Sequence, residues 1–272
     1  METPTRIGLH KAGGVKSLLA LLALAVLAVP SLGESPEERG LEIARQVRAS
    51  RAGFVGESGN VELTLVNASG DRIVRRMELV TSEKENDGDR SLVTFEKPPD
   101  VKGVQLLTWT HKGNEDDQWL FLPTVKRVKR ISSSNKSGSF MGSEFAFEDM
   151  GGQEVEKYSY RFLEEGTLEG RGVWVVERVP VDKTSGYSRQ LVSYDKEYLA
   201  PLKIEYFDRR GQLLKVAHFE QYQQFGGKWW RANQIRIENV QTRKSSILAY
   251  GSDRKLQVAF EPDRFETARM GQ

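Results

Sequence analysis

Beyond residue 60 the chain alternates apolar and polar side chains with a period of two. In the segment VELTLV one face carries Val61, Leu63 and Leu65, and the turn NASGD leads into a second alternating segment. This pattern predicts half-buried antiparallel strands joined by a hairpin. Similar segments follow, and their number predicts about ten or eleven strands in one antiparallel meander, barrel or strongly curved sheet. Turn-forming clusters separate these segments: ENDGD, KGNEDD, DKTSG, DRRGQ and FGGK.

One amphipathic helix is predicted ahead of the strands, over residues 34–50. Ser35 and Glu38 have the spacing of a capping box, and Pro36 occupies the first helical position. An apolar stripe recurs along the helix, and we expect it to pack on an apolar surface. The stripe consists of Leu41, Ala44 and Val47.

The central strands depart from clean alternation. Trp119, Leu120, Phe121 and Leu122 are consecutive apolar residues, so both faces of this strand must be covered. A single sheet with one solvated face cannot provide that cover. We therefore predict an additional layer, which is a helix, a lid or a ligand.

A basic block without any acidic residue follows this strand. It comprises Lys126, Arg127, Lys129, Arg130 and Lys136. The interleaved apolar residues suit a strand, and we interpret residues 126–130 as the charged continuation of the preceding strand towards the rim. Either the block is a solvated sheet surface, or it contacts anionic headgroups or an acidic partner.

The lid segment, residues 138–152, combines large apolar side chains with flanking glycines. Its apolar residues are too large to be left in water, and glycine backbone can act as a hinge. This combination predicts a lid over an apolar cavity, and the alternative is a plug that fills the core of a curved sheet. The side chains concerned are Phe140, Met141, Phe145, Phe147 and Met150.

Residues 1–33 are predicted to be a secretory signal peptide. Arg6, Lys11 and Lys16 precede an apolar run that is shorter than the roughly 20 residues of a membrane span. An uncleaved anchor is the alternative. These residues hold three of the 40 basic and one of the 38 acidic residues, which leaves 37 of each in residues 34–272. Overall charge therefore gives no argument for nucleic acid as a partner.

Candidate catalytic or metal chemistry is sparse. Without cysteine the chain has no disulfide, thiolate metal site, cysteine nucleophile or lipidated N-terminal cysteine. His111 and His218 have no carboxylate or second histidine at ligand-like spacing, and His218 is predicted at the surface or rim, so we expect no metal site and no cofactor. Glu144, Glu148 and Asp149 are the best candidates for paired acids, but loop carboxylates are more often solvated or capping. We predict no catalytic residues and no enzyme.

Several blocks resemble the outer-membrane lipoprotein-sorting, LolA/LolB-like superfamily, in particular its transporter-associated branch. The likeness extends over nearly all of residues 34–272, which we treat as one domain. The helix after Ser35 and the terminal FEPDRFETARM fit the same frame. The most specific blocks are Asp100 to Gly103 (DVKG), Trp119 to Pro123 (WLFLP), Val125 to Ile131 (VKRVKRI) and Phe140 to Asp149 (FMGSEFAFED).

The resemblance implies a mainly β fold: an incomplete, half-open antiparallel barrel whose concave face is covered by the N-terminal helix and a central lid. It also implies a periplasmic carrier that shields acyl chains of a lipid or lipoprotein. Carriers of this superfamily hold the lid with an arginine from an early strand, and Arg72, Arg75 and Arg76 lie in the matching region.

Two groups of residues are predicted to serve this function. One group would bind lipid headgroups, an inner-membrane transporter or an outer-membrane acceptor, and it consists of the basic residues Lys126, Arg127, Lys129 and Arg130. A non-catalytic accessory protein that docks on an inner-membrane lipid transporter is the alternative. Acyl chains would contact Leu41, Ala44, Val47, Trp109, Trp119, Phe121, Phe140, Met141, Phe145 and Phe147.

Overall fold

The computed structural model describes Met1 and residues 33–272. The predicted signal peptide, apart from its two end residues, lies outside the described residues. Within the described residues, no helix is both long enough and apolar enough to cross a membrane.

Residues 34–272 form one compact unit that consists mainly of β-strands. One α-helix, α1 (Pro36–Arg51), precedes the strands, and short 3-10 helices lie at Phe147–Met150, Val155–Lys157, Pro262–Phe265 and Thr267–Arg269. The strands are β1 (Gly56–Val66), β2 (Arg72–Ser82), β3 (Arg90–Lys97), β4 (Gln105–Trp109), β5 (Asp117–Leu122), β6 (Arg127–Arg130), β7 (Tyr158–Leu168), β8 (Arg171–Pro180), β9 (Tyr187–Asp195), β10 (Ala200–Asp208), β11 (Leu213–Phe225), β12 (Trp229–Asn239), β13 (Lys244–Tyr250) and β14 (Lys255–Leu256).

All of these strands belong to one antiparallel sheet in the order β6-β5-β4-β3-β2-β1-β13-β12-β11-β10-β9-β8-β7, and β14 pairs with β1. Within the described residues β6 and β7 are the two edges and do not pair with each other, so the sheet stays open. The predicted half-open antiparallel fold is confirmed. The strand number is higher than predicted because β6 and β14 are short and have no apolar face of their own.

The capping prediction for α1 is confirmed. The Ser35 Oγ accepts a hydrogen bond from the Glu38 backbone N–H at 3.2 Å, and the Glu38 carboxylate accepts one from the Ser35 N–H at 2.9 Å. The buried side of the helix consists of Gly40, Ile43, Ala44 and Val47, whereas Leu41 is half-buried. A Cβ on Gly40 would lie 2.7 Å from the Phe162 backbone nitrogen, so glycine lets α1 approach β7 closely.

The inner face of the sheet, which α1 and the lid segment cover, holds most of the core. Along β1, Val61 and Leu63 point to this face, as the alternation predicted. Side chains from α1, the lid segment and nearly every strand meet there in one continuous cluster. Burial of this apolar surface is the main force that holds the helix and the lid segment against the sheet.

The outer face of the sheet at β3, β4 and β5 is covered by the C-terminal segment, residues 260–271. Val80, Leu107, Phe265 and Met270 form a second buried cluster there. The backbone of the segment is also fixed, because the Trp109 Nε1–H donates to the Phe265 carbonyl at 2.7 Å. This is the additional layer that the doubly apolar strand β5 required.

Candidate functional site

A cavity of about 340 Å³ lies between α1, the inner face of the sheet and the end of the lid segment. Strands from opposite ends of the sheet order contribute to its wall, because the open sheet curves around the helix. The wall combines apolar side chains with nine charged ones: Arg48, Arg51, Glu57, Asp89, Asp149, Glu154, Arg178, Arg231 and Arg254. Its apolar lining includes Ala44, Val47, Phe54, Leu79, Val93, Leu106, Phe145, Met150, Val155, Ile204, Ala217, Phe219, Ile235, Ile237 and Leu248.

The predicted acyl-contact residues divide into three groups. Ala44, Val47 and Phe145 line the cavity. A second group belongs to the inner core cluster without lining the cavity, and it consists of Leu41, Phe140, Met141 and Phe147.

Trp109, Trp119 and Phe121 form the third group, and the structure does not place them at the cavity. They pack with the outer cluster against the C-terminal segment, and the rings of Trp109 and Trp119 meet edge to face at 5.0 Å. Successive side chains of a strand point to opposite faces, so Leu120 and Leu122 take the inner positions instead. The expectation that these three aromatic residues contact the cargo is corrected accordingly.

The lid segment is folded into a compact hairpin-like loop. Phe140 is buried between the rings of Phe95 and Phe147, each 5.8 Å from it, and so acts as the plug of the inner core. The turn of the loop is at Met141 and Gly142, where both residues have positive φ. Gly142 therefore serves a tight turn. The lid segment is both a plug and a cover, because one part of it fills the core and another part covers the cavity.

Hydrogen bonds and an ion pair attach the C-terminal half of the lid segment to the sheet. Lys215 of β11 reaches the Asp149 carboxylate at 2.6 Å and the Glu144 carbonyl at 2.8 Å. The Tyr187 hydroxyl also donates to Asp149 at 2.9 Å. Glu148 accepts hydrogen bonds from the Ser185 hydroxyl and the Gly186 N–H, at 2.7 and 2.9 Å.

The three candidate acids are therefore used as structural anchors of the lid segment. Glu144 accepts a hydrogen bond from the Asn239 side chain at 2.7 Å, and its backbone N–H donates to the Ser246 hydroxyl. Burial raises the pKa of Glu148, with a further contribution from Asp149.

Arg75 of β2 holds the first half of the lid segment. Its guanidinium Nη1 donates to the Met141 carbonyl, and the side chain is half-buried, whereas Arg72 and Arg76 are exposed. Among the three arginines of the early strand, Arg75 is the one that contacts the lid segment.

Arg75→Met is expected to loosen the lid segment without unfolding the protein. Loss of a charge-assisted hydrogen bond, worth roughly 1.5–3 kcal/mol, should speed amide exchange at residues 138–147 by at least about tenfold. Hydrogen–deuterium exchange with mass spectrometry measures this. Arg76→Met is the matched control, because Arg76 is 61% exposed and only loosely paired with Glu62 at 3.7 Å. Equal exchange in the two variants would contradict the assignment.

Ion pairs that involve an arginine occupy two regions of the cavity wall. In one, the buried Arg231 and Arg254 share the carboxylate of Glu57, with N–O distances of 3.3 and 2.6 Å. Burial, helped by repulsion from Arg51, lowers the pKa of Arg231 to about 10. In the other, Arg48 of α1 pairs with Glu154 at 3.0 Å, and burial raises the pKa of nearby Asp89 to about 6.

His111 has acidic partners that its sequence neighbourhood did not reveal. Its two ring nitrogens face Asp87 at 2.8 Å and Asp117 at 3.2 Å. Burial opposes protonation, but the hydrogen bonds with the two carboxylates outweigh it and raise the pKa of His111. The two contacts tie the loop after β4 to the loop between β2 and β3 and to the start of β5. Among the described residues no group of three or more potential ligands is arranged to hold a metal ion.

Apart from Lys136, which is half-buried and paired with Asp182, the basic block forms an exposed edge of the sheet. The chain turns at Pro123–Val125 and at Lys126, which has φ 49°, and then returns as β6 alongside β5. Residues 127–130 therefore form a new antiparallel edge strand, so the prediction that residues 126–130 continue β5 is wrong. All of its side chains are exposed: Arg127, Val128, Lys129 and Arg130.

Three solved structures are similar to this chain. A domain assigned as an outer membrane lipoprotein-sorting protein from Vibrio parahaemolyticus is 44% identical, with a TM-score of 0.85 over 87% of this chain and 100% of the other. A DUF1329 family protein from Desulfovibrio piger is 26% identical, with a TM-score of 0.82 over 87% and 99%. A LolA superfamily protein from Nitrosomonas europaea, at 22% identity and a TM-score of 0.67 over 84% and 98%, shares the fold.

Sequence comparison adds less detail. A family model described only as an uncharacterized protein family matches residues 87–272. No curated protein matches the chain.

Several residues of this site were not singled out from the sequence. Lys215, Arg178, Glu57 and Arg231 all lie on strands and are buried. A charged residue at an inward position of an alternating strand is the signal that could have found Lys215, because Leu213, Lys215 and Ala217 share one face of β11.

Proposed function

Because the chain belongs to the family of outer membrane lipoprotein-sorting protein domains, we propose that it is a periplasmic carrier of lipid or lipoprotein acyl chains. The observation that carries the proposal is the cavity of about 340 Å³ between α1, the sheet and the lid segment. Its size falls in the range of about 300–1,000 Å³ typical of small-molecule sites. More of its exposed wall is apolar than polar, which leaves room for an acyl chain beside the charged groups.

Burial of hydrocarbon supplies the affinity in this proposal. Each methylene that leaves water contributes about 0.8 kcal/mol, so a single chain binds usefully and still reversibly. A carrier needs that balance, because it must release the cargo to an acceptor. The lid segment is the element that would open, because it covers one end of the cavity and is attached to the sheet through side chains, without strand pairing to the sheet in the described part of the chain.

The proposed role is non-catalytic. Glu144, Glu148 and Asp149 are occupied with bonds that attach the lid segment to the sheet. We place the protein in the periplasm, where it would receive cargo from an inner-membrane transporter and pass it to an outer-membrane acceptor.

The exposed basic edge supports a second proposed role, docking on a partner. On β6, Arg127 and Lys129 are exposed and take part in no ion pair within the described residues, whereas Arg130 is bound to Asp117. Such an edge suits anionic headgroups or an acidic surface of a transporter. An accessory protein without cargo would need only this edge.

Lipid extraction from the purified protein, followed by mass spectrometry and titration with a fluorescent fatty acid, tests the carrier proposal. We expect co-purified lipid and saturable probe binding. A lipid-free protein that does not bind the probe would contradict it. In the same titration the double variant Arg127→Glu/Lys129→Glu should bind the probe as the wild type does, because β6 lies away from the cavity lining. Loss of partner or vesicle binding alone in that variant would favour docking through this edge.

A further inference from the structure

One buried cation in the cavity wall has no acidic partner among the described residues. Arg178 of β8 is 4% exposed and lines the cavity. Its Nε donates to the Gln190 amide oxygen of β9 at 2.6 Å, and its guanidinium lies 4.5 Å from the centre of the Tyr158 ring. Its Nη2 is buried without any hydrogen-bond partner.

The other buried or half-buried arginines of the same wall each contact a carboxylate. Arg231 and Arg254 share Glu57, and the half-buried Arg48 pairs with Glu154. Arg178 has instead an amide oxygen and an aromatic face, neither of which supplies a full negative charge. A guanidinium stays protonated in proteins, so it cannot relieve the cost of burial by losing its proton.

The groups around Arg178 are suited to an oxyanion. Tyr160, Tyr194 and Tyr206 line the same cavity and carry hydroxyl donors. Burial raises the pKa of Tyr160 and of Tyr206, so both hydroxyls stay protonated. A planar guanidinium with a free N–H edge binds carboxylate and phosphate oxygens in a fixed geometry.

We propose that Arg178 binds the acidic headgroup, a carboxylate or a phosphate, of a single-chain amphiphile whose hydrocarbon occupies the rest of the cavity. This inference rests on the proposed carrier function and narrows its cargo class. A neutral acyl end would leave the guanidinium unpaired, whereas an oxyanion satisfies it. The hydrocarbon would lie along Val47, Ile204, Ala217, Ile237 and Leu248.

Three ligands with the same chain length test the proposal: hexadecanoate, hexadecyl phosphate and hexadecanol. Each displaces a neutral fluorescent probe from the wild type and from Arg178→Gln. We expect the wild type to prefer at least one anion over the alcohol by about tenfold or more, which corresponds to 1.4 kcal/mol. The better of the two anions identifies the headgroup. In Arg178→Gln the anion and the alcohol should bind about equally well, and the alcohol should still bind.

Two further variants separate a binding role from a structural one. Arg178→Lys keeps the charge and should retain part of the preference for the anion. Arg189→Gln is the matched control on the neighbouring strand, because Arg189 is half-exposed and paired with Glu177 at 3.4 Å. Near-ultraviolet circular dichroism checks that each variant is folded.

Failure of the Arg178 proposal and failure of the carrier proposal give different results. Equal binding of acid and alcohol by the wild type, or an unchanged preference in folded Arg178→Gln, overturns the role of Arg178 and leaves the carrier function intact. If Arg178→Gln does not fold, the preferences of the wild type and of Arg178→Lys for the anion over the alcohol decide whether Arg178 binds the headgroup. Absence of binding by all three ligands and by the probe overturns the carrier function itself.

Discussion

Lys215→Met is expected to lower the free energy of unfolding by about 3–5 kcal/mol, because it leaves the carboxylate of Asp149 buried without its counter-charge. The side chains of Lys215 and Asp149 are 4% and 8% exposed, and their charged atoms are 2.6 Å apart. The same ammonium group lies about 5 Å from the ring centres of Tyr187 and Tyr206. Thermal unfolding should show a fall in Tm of roughly 10 °C for a domain of this size.

A surface pair provides the control for this variant. Lys203→Met removes the cation of the pair Lys203–Glu205, whose charged atoms are 3.4 Å apart and which is about a quarter exposed. Its cost should stay below about 1 kcal/mol. The double variant Lys215→Met/Asp149→Asn should recover part of the stability, because the neutral amide costs less to bury. A Lys215→Met protein as stable as Lys203→Met would show that the buried pair does not anchor the lid segment.

Ala44→Phe is expected to reduce binding of a fluorescent fatty acid by more than about tenfold. Ala44 is buried on α1 and lines the cavity, so a phenyl ring at this position occupies space that the acyl chain needs. Each excluded methylene removes about 0.8 kcal/mol of binding free energy, so two displaced methylenes already suffice. Overpacking a core costs about 1–3 kcal/mol of stability. We expect a smaller cost here, because the added ring can extend into the cavity.

Ala49→Phe is the matched control for the blocked cavity. Ala49 lies on the same helix but is exposed, so the added ring has no access to the cavity. Fluorescence titration of both folded variants measures the effect. If Ala44→Phe binds the probe as tightly as Ala49→Phe does, the cavity is not the binding site.

Local sequence rules predicted the helix and most strands correctly. The capping box at Ser35 and Glu38 starts α1, and the alternation of Val61 and Leu63 predicts β1. These signals depend on side chains within a few residues of one another, which is why they can be interpreted without a fold. Strand β6 was placed incorrectly because only backbone pairing with β5 defines its direction.

The candidate site was predicted in part, and the errors share one cause. A period of two shows that Leu120 and Phe121 point to opposite faces, but it does not show which face is inward. The aromatic residues Trp109 and Trp119 were therefore assigned to the cavity, whereas the structure packs them under the C-terminal segment. Ala44, Val47 and Phe145 do line the cavity, and their contact with an acyl chain stays a prediction.

The sequence alone determined the fold class, the N-terminal helix, the doubly covered strand and the position of the lid segment, because these follow from local periodicity and motif order. Only the tertiary structure decided which side chains surround the cavity and what holds the lid segment. Arg75 contacts Met141 and Lys215 contacts Asp149 across 66 residues of chain each. Contacts of this separation depend on how the whole sheet curves, so no local pattern encodes them.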